Sequence, residues 1–404
     1  MPRRLPVLRF LSTLPLLLAT AVAGAATTVR FDIDMRAEIA AGRFDPARDA
    51  LGVQGSAAPL SWGPPVLLKP GGTEGRYQGQ VVFEKAPFGG QPVQYKLHML
   101  RAGRGHDQGW EEGRNHPLLL ADRPEIAVAR AFNAEPAQLP LSRVGTIEKL
   151  PAIESKHVGA REVQVWLPPG YAEEPQRRYP VLYLHDGQNV FDAASAGAEW
   201  QVDETAQRLM GTKAIAPAII VAVAHGADRF EDYTPTAALP DFDPADKDKV
   251  KAIGGGAPRY ARYLIEELKP AIDARYRTKP GAADTAVGGS SLGGLVTMWL
   301  LLHHGDSFGA GLVVSPSIWW DQKFIVRDVQ AHAGGPRPRV WLDMGGQEGG
   351  IEALQLAREL RDALQARGWQ AGRSLKYLEQ VDAGHDEAAW AARVEGMLRF
   401  LYGR

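Results

Sequence analysis

The chain has 404 residues, of which 45% are hydrophobic and 23% are charged, and its formal net charge is −1 at pH 7. This length allows two domains, and the near-neutral charge gives no reason to expect a nucleic acid or an anionic membrane as a partner. The absence of cysteine excludes disulfides, a thiol nucleophile and thiolate metal sites.

Residues 1–25 have the organisation of a secretory signal peptide. Basic residues within positions 1–9 precede an apolar run over 10–22, and Ala-Gly-Ala at 23–25 supplies the small residues of a cleavage site. The apolar run is shorter than the roughly 20 residues of a membrane-spanning helix. We therefore expect an exported protein, periplasmic or secreted, whose mature chain has no transmembrane segment.

Residues 27–132 predict an all-β sandwich, because short runs of alternating apolar and polar residues are separated by glycine and proline pairs. The order of features, with Val29-x-Phe31 early and Trp62, Tyr95 and Trp110 later, loosely resembles starch- and glycogen-binding carbohydrate modules. This resemblance implies a glycan partner for Trp62 and Trp110. The alternative is a structural cap, since both tryptophans fit core positions at least as well.

Residues 133–158 predict a linker, and residues 159–404 predict a second domain with a different pattern. Continuous apolar strands, such as 180–184 and 218–223, alternate with helices that carry an apolar stripe, such as 259–276, 351–364 and 388–401. Alternating strands and helices are typical of a doubly wound α/β sheet. Catalytic groups are then expected on loops at the carboxyl ends of the strands.

A Gly-x-Ser-x-Gly motif spans residues 289–293, with Ser291 at its centre. A short apolar strand precedes the motif and a strongly apolar segment, 295–302, follows it. Strand, sharp turn and helix are the context of the nucleophile elbow of α/β hydrolases. The pattern predicts that Ser291 Oγ projects from the sheet and that the N–H of its neighbour faces an incoming carbonyl oxygen.

Three further segments supply the other groups of an acyl-transfer site. His385 lies on a loop between the last predicted strand and the last helix, which suits a general base. The segment 342–349 follows a strand and offers two acids, Asp343 and Glu348, in the chain order that α/β hydrolases use. The segment 185–192 follows an early strand and is placed to give a second oxyanion N–H.

With these motifs, residues 161–401 resemble the esterase family of α/β hydrolases that includes esterase D, ferric-enterobactin esterases, feruloyl esterases and mycolyltransferases. The motifs that carry the resemblance are Leu-Pro-Pro-Gly-Tyr at 167–171, Tyr-Leu-His-Asp-Gly-Gln-Asn-Val-Phe-Asp at 183–192, Glu-Trp-x-Val-Asp at 199–203, Gly-Ser-Ser-Leu-Gly-Gly at 289–294 and Gly-His-x-Glu-Ala-Ala-Trp at 384–390. The resemblance implies an α/β-hydrolase fold preceded by the smaller β-domain.

The resemblance also implies a role for individual residues. Ser291 is the nucleophile, His385 the base and Glu348 the acid, and the N–H groups of Gln188 and Leu292 form the oxyanion hole. Asp343 is kept as the alternative acid, because Gly346 stands where the family often has Thr. The residues expected to line the substrate pocket are Arg229, Tyr233 and Trp319.

The sequence therefore predicts an exported serine hydrolase that cleaves carboxylic esters, of small molecules or of polysaccharides, through an acyl-enzyme and without a cofactor. Two alternatives stay open: a siderophore trilactone esterase of the ferric-enterobactin type, and a catalytically dead hydrolase-fold carbohydrate-binding protein. The segment 228–256 is either a lid or a solvated loop. No metal site is expected, although two sets of residues offer ligand atoms: His106, Asp107, Glu111 and Glu112 in one loop, and His185, Asp186 and Asp192 in another.

Overall fold

The computed structural model describes residues 26–101, 108–120, 123–137, 139, 142–151, 153–194, 197–239 and 251–403. The predicted signal peptide lies outside these ranges. So do His106 and Asp107 of the first possible metal loop and the acidic residues Asp241, Asp243 and Asp246 of the possible lid. Within the described ranges, a search for helices able to cross a bilayer finds none.

The first domain is a seven-stranded sheet that folds over its own core. Its elements are β1 (Thr27–Asp34), the short helix α1 (Arg36–Ala40), β2 (Asp49–Gly55), β3 (Val66–Pro70), β4 (Arg76–Phe83), β5 (Val93–Arg101), β6 (His116–Leu118) and β7 (Glu125–Ala131). The strand order is β6-β5-β2-β3-β4-β1-β7. Strand β3 pairs with β2 through residues 66–68 and with β4 through 69–70, and it therefore joins the two halves of the sheet.

The two halves of this sheet face each other, as predicted for an all-β domain with a buried interior. Val29, Phe31 and Ile33 alternate along β1 and are fully or almost fully buried. Phe31 packs edge-on against Tyr95 of β5, with ring centroids 5.4 Å apart, although β2, β3 and β4 separate their strands in the sheet. Burial of each such side chain contributes roughly 1.5–3 kcal/mol.

The second domain is an eight-stranded, mostly parallel sheet in the order β17-β16-β15-β14-β10-β11-β9-β8. Its strands are β8 (Thr146–Lys149), β9 (Val163–Leu167), β10 (Val181–His185), β11 (Ile219–Val223), β14 (Thr285–Ser291), β15 (Ala310–Pro316), β16 (Arg339–Gly345) and β17 (Leu375–Gln380), and a separate pair is formed by β12 (Ala237–Ala238) and β13 (Ile253–Gly254). Strand β8 lies within the predicted linker and pairs antiparallel with β9.

Helices cover both faces of this sheet. They are α2 (Val202–Gly211), α3 (Arg229–Tyr233), α4 (Ala257–Arg262), α5 (Lys269–Arg275), α6 (Leu292–His303), α7 (Trp320–Ala331), α8 (Gly350–Ala366) and α9 (Glu387–Tyr402), with a π-helical turn, Tyr263–Leu268, between α4 and α5. Every residue of β9, β10 and β11 is buried, which explains their continuous apolar sequences. The predicted α/β-hydrolase fold with a smaller β-domain is confirmed.

Two buried glutamines of the β-domain attach it to the hydrolase domain. Gln91 Nε2 donates to the Glu199 carbonyl at 2.7 Å, and the Glu199 N–H donates to Gln91 Oε1 at 3.2 Å. Gln94 Nε2 donates to the carbonyl of Gly197. Because the Gln91 amide both donates to and accepts from the backbone of Glu199, the contact fixes the β-domain against the loop that precedes α2.

Candidate active site

Ser291 ends β14 and caps α6, with φ 58° and ψ −122°. This backbone region is uncommon for a residue with a side chain and is a source of local strain. Glycines make the sharp turn possible, since a Cβ at Gly294 would lie 2.7 Å from the carbonyl oxygen of Val314. The first N–H groups of α6, beginning with Leu292, have no intrahelical partner, and the Ser291 side chain does not cap them.

His385 and Glu348 meet at the carboxyl edge of the sheet. His385 Nδ1 lies 2.9 Å from Glu348 Oε2, with the imidazole 42% exposed and the glutamate side chain 2% exposed. The imidazole also stands edge-on against Trp390, with centroids 5.2 Å apart. A buried carboxylate therefore fixes one ring nitrogen while the ring remains accessible from the solvent side.

A buried set of donors holds the other oxygen of Glu348. Oε1 accepts hydrogen bonds from Ser315 Oγ at 2.6 Å and from the Gly345 N–H at 2.7 Å, and Arg393 Nη2 lies 3.6 Å away. Ser315 Oγ in turn accepts from Trp390 Nε1 and Arg393 Nη2, both at 3.1 Å. The carboxylate orientation is therefore determined by contacts from β15, β16 and α9 together.

Asp343, the alternative acid, is fully buried and faces away from His385. Its carboxylate accepts from Trp341 Nε1 at 2.6 Å and from the Ser315 N–H at 3.1 Å, and Arg393 Nη1 lies 3.2 Å from it. Burial raises the pKa of Asp343, and the charge of Arg393 opposes that rise. The geometry therefore places Glu348, and not Asp343, on the imidazole.

Arg393 is the site residue that the sequence reasoning missed. Its guanidinium is 2% exposed and joins Asp343 and Glu348 within one buried ion network. A signal was present in the sequence. Arg393 lies three residues after Trp390, which places a cation on the apolar stripe of α9 that also carries Val394 and Met397. A charged residue on a buried stripe is informative, because it requires a buried partner.

Ser291 and His385 are not joined by a hydrogen bond in the part of the chain that the structure describes. Ser291 Oγ lies instead 3.3 Å from Ser317 Oγ, and the Ser317 N–H donates to the Ser291 carbonyl at 3.0 Å. Catalytic hydrogen bonds are often long or misaligned without substrate, and a serine hydroxyl rotates readily about χ1. Trp319, two residues after Ser317, is 50% exposed.

The predicted oxyanion loop lies directly against the elbow. Gln188 is in the 3-10 turn Gly187–Asn189, and β10 and β14 are adjacent strands. A Cβ at Gly187 would lie 2.5 Å from backbone atoms of β11, so only glycine fits there. A Cβ at Gly289 would lie 3.0 Å from His185 Cβ, which shows how closely the loop and the elbow approach.

Arg229 and Tyr233 support this loop. Arg229 donates to both carboxylate oxygens of Asp186, from Nε at 2.8 Å and from Nη2 at 2.7 Å. Tyr233 is fully buried, and its hydroxyl accepts the Asp186 N–H at 3.1 Å. The Tyr233 side chain is therefore enclosed behind the loop, and its place in the substrate pocket stays a prediction.

Three of the residues that could serve as metal ligands, His185, Asp192 and Glu111, have other partners. His185 Nδ1 lies 2.9 Å from the Tyr260 hydroxyl, and burial lowers the pKa of His185 to about 3. Asp192 pairs with Arg143 at 2.5 Å. Glu111 pairs with Arg130 through both carboxylate oxygens, at 2.5 and 2.8 Å. Among the residues that the structure describes, a different group brings its ligand atoms together, namely Glu199, Asp203 and Glu204.

A cleft of about 990 Å³ opens beside His385 between the two domains. Residues 347–348 and 380–392 contribute to one wall, and β-domain residues 55–64 and 87–88 contribute to the other. Trp62 and Phe88 lie on the β-domain wall and are 37% and 54% exposed. A core position for Trp62 is therefore excluded. Trp110 is half-buried and stacks on His98, with centroids 4.1 Å apart.

Comparison with known proteins gives matches in both sequence and structure. The family model described as Putative esterase matches residues 157–401, more than half of the chain. Ferri-bacillibactin esterase BesA of Bacillus subtilis is 29% identical over 159 residues, which are 38% of this chain and 53% of that protein. The endo-1,4-beta-xylanase/feruloyl esterase of Xylanibacter ruminicola is 27% identical over 247 residues, 59% of this chain and 29% of that protein.

The structural match extends to the β-domain. The enterobactin esterase FES from Shigella flexneri superposes with a TM-score of 0.57 at 16% identity, covering 87% of each chain. At this identity the match establishes a shared two-domain fold. The sequence alignments with BesA and with the xylanase/feruloyl esterase span about half or less of those proteins. Together, the family match, the α/β-hydrolase fold and the esterase relatives show that the chain belongs to the Esterase family and is an ester hydrolase.

Proposed function

We propose that this protein is an exported serine esterase in which Ser291, His385 and Glu348 form the catalytic triad. The observation that carries the proposal is the 2.9 Å contact between His385 and the buried Glu348, at the same sheet edge as the elbow serine. Export rests on the signal-peptide pattern of residues 1–25. The assignment of Glu348 as the acid is also supported by the contacts of Asp343, which are with Trp341, Ser315 and Arg393.

In this mechanism Ser291 Oγ turns from Ser317 toward His385, which takes its proton as Oγ attacks the ester carbonyl. The carbonyl oxygen becomes an oxyanion and accepts hydrogen bonds from the N–H groups of Gln188 and Leu292, beside the positive end of α6. His385 then gives its proton to the leaving alcohol, and the acyl group stays on Ser291. Water, deprotonated by His385, then attacks the acyl carbon, and His385 returns this proton to Ser291 Oγ as the bond between Oγ and the acyl carbon breaks and the acid leaves. Glu348 stabilises the imidazolium at both stages.

The interdomain cleft supports an ester with a bulky acyl or alcohol part as the substrate class. Its volume of about 990 Å³ is that of a large ligand site, and exposed Trp62 and Phe88 offer flat apolar faces for an aromatic ring. Relatives are named as siderophore esterases and as a feruloyl esterase, and the proposal takes these two kinds of ester as candidate substrates. In the second version of this proposal, the substrate is an ester of a polysaccharide, and Trp62 binds its glycan part.

Covalent labelling with a fluorophosphonate probe tests the nucleophile. We expect wild-type protein to be labelled, and Ser291→Ala to remain unlabelled, since the probe needs an activated serine. Ser317→Ala is the matched control, because it removes the neighbouring hydroxyl and leaves the nucleophile in place. A failure to label wild type would instead support a catalytically dead hydrolase-fold carbohydrate-binding protein, and labelling of Ser291→Ala would move the nucleophile elsewhere.

A substrate panel tests the cleft, using a short p-nitrophenyl ester, methyl ferulate, acetylated xylan and ferric enterobactin. We expect Trp62→Ala to lower kcat/KM on the bulky substrate that wild type prefers by roughly 5- to 150-fold, the effect of about 1–3 kcal/mol of lost stacking. The short ester should be unaffected, because it does not reach the β-domain wall. Leu67→Ala, an exposed residue of β3 outside the cleft, is the control.

The panel also separates the substrate classes. Turnover of ferric enterobactin favours a siderophore trilactone esterase, and turnover of acetylated xylan or methyl ferulate favours a polysaccharide-directed esterase. Equal losses on all substrates in Trp62→Ala would show that Trp62 holds the domains together and does not contact substrate.

A further inference from the structure

A group of three carboxylates lies outside the active site, where the β-domain joins the hydrolase domain. Glu199, Asp203 and Glu204, called here the acidic cluster, bring ligand oxygens within 4.8 Å of one another. The chain reverses at Gln201, which has φ 51° and ψ 42°, and this reversal turns Glu199 toward the first turn of α2. Glu199 is also the residue whose backbone is held by Gln91.

The acidic cluster is buried without a compensating cation. Glu199 is 3% exposed and Asp203 is 0% exposed, and within the described part of the chain neither they nor Glu204 form an ion pair. The nearby buried Asp192 and Asp186, in contrast, pair with Arg143 and Arg229. Burying several carboxylates in this way costs several kcal/mol per charge unless they are neutralised.

Each of the three carboxylates also has an oxygen that no donor reaches. Glu199 Oε1 accepts from Ser142 Oγ at 2.6 Å, and Asp203 Oδ2 accepts from the Val144 N–H at 2.7 Å. The other oxygens, Glu199 Oε2, Asp203 Oδ1 and Glu204 Oε2, are buried and have no hydrogen-bond partner. Buried polar atoms are almost always paired, so these three buried oxygens in one cluster offer acceptors to a partner of positive charge.

We propose that the acidic cluster binds one divalent cation of the calcium type. The donors are carboxylate oxygens alone, the ligands that hard cations prefer, and the described residues bring no histidine or thiolate into the cluster. The cation neutralises the charge of Glu199, Asp203 and Glu204, as Arg143 and Arg229 do for other buried carboxylates. Ser142 and Gln91 form hydrogen bonds with Glu199, and Val144 forms one with Asp203. The bound ion therefore also stabilises the junction between the two domains.

Calcium titration of the full-length protein tests this inference. After removal of metals with EDTA and dialysis, we expect isothermal titration calorimetry to show one Ca²⁺ per chain. The melting temperature should rise with Ca²⁺ concentration, because the ion binds the folded state. Weaker binding of Mg²⁺ is expected, since Mg²⁺ demands a strict octahedron and gives up its water reluctantly. These measurements on wild type do not depend on whether any variant folds or on esterase activity.

Variants locate the site. Asp203→Asn and Glu199→Gln should each lower the Ca²⁺ affinity at least tenfold, while Glu174→Gln, an exposed carboxylate paired with Arg177, should leave it unchanged. The proposal would be overturned if no saturable binding were measured at Ca²⁺ concentrations well above roughly 10⁻⁴–10⁻³ M, which is the range of dissociation constants of extracellular calcium modules. The proposal would also be overturned if Asp203→Asn were more stable than wild type and its melting temperature did not change with Ca²⁺. That result would mean that the carboxyl groups share protons. Tighter Mg²⁺ than Ca²⁺ binding would overturn the assignment to calcium.

Discussion

Ser291→Ala and His385→Ala should each lower kcat for ester hydrolysis by a factor on the order of 10⁴–10⁶, because triad members act as a unit. Without Ser291 no acyl-enzyme forms, and without His385 the hydroxyl keeps its proton during attack. In the proposed mechanism, the residual rate comes from substrate binding and from the proposed oxyanion donors, the N–H groups of Gln188 and Leu292. Steady-state kinetics on a p-nitrophenyl ester measures the loss, and circular dichroism shows whether each variant is folded.

The same assay distinguishes the two acids. Glu348→Gln should lower kcat by on the order of 10³–10⁴, since the amide no longer stabilises the imidazolium that Glu348 contacts at 2.9 Å. The double variant Ser291→Ala/Glu348→Gln should be no slower than Ser291→Ala alone. Asp343→Asn should act mainly on stability, because Asp343 contacts Arg393 and not His385. A mild Glu348→Gln beside a catalytically severe Asp343→Asn would reverse the assignment.

Arg393→Met should destabilise the fold by about 3–5 kcal/mol, the usual effect of removing one partner from a buried ion network. The substitution keeps a long apolar side chain in place but leaves Asp343 and Glu348, 0% and 2% exposed, without their shared cation. Urea unfolding followed by tryptophan fluorescence measures the change. The folded protein should also lose kcat, because Ser315 and Glu348 lose a donor that fixes their orientation.

Arg399→Met is the matched control on the same helix. Arg399 is 47% exposed and pairs with Glu395 one turn earlier at 2.9 Å, an arrangement worth less than about 1 kcal/mol. An Arg393→Met protein with the unfolding midpoint of Arg399→Met would contradict the importance of the buried network. Equal kcat in the two variants would show that Glu348 is held in place by Ser315 and Gly345 alone.

The sequence by itself predicted the fold class and the main candidate residues, because both depend on local pattern. Continuous apolar strands between striped helices specify a two-faced sheet, and the glycines around Ser291 specify a tight turn before a helix. His385 was identifiable from its loop between the last strand and the last helix. The catalytic roles of Ser291, His385 and Glu348 stay predictions, while the contact between His385 and Glu348 is a property of the structure.

Only the tertiary structure showed which acid contacts His385, and only it revealed Arg393. Asp343 and Glu348 belong to the same strand-end segment, so spacing along the chain cannot tell which one reaches the histidine. Asp343 is fixed within β16 with its side chain toward Arg393, whereas Glu348 lies beyond the strand and turns back onto His385. Such pairings join residues on separate elements, and their geometry depends on how α9 packs across the sheet.

The cleft and the acidic cluster likewise needed the assembled molecule. Trp62 and His385 line the same cleft, and the side-chain amides of Gln91 and Gln94 join the two domains by binding backbone groups of Glu199 and Gly197, an interaction with no periodic signal in the sequence. Glu199 and Asp203 were visible as part of a motif, but their burial without a cation depends on the surrounding elements. Local sequence sets which segments form strands, turns and helices. Long-range packing sets which charges lose water, and therefore which of them need a partner.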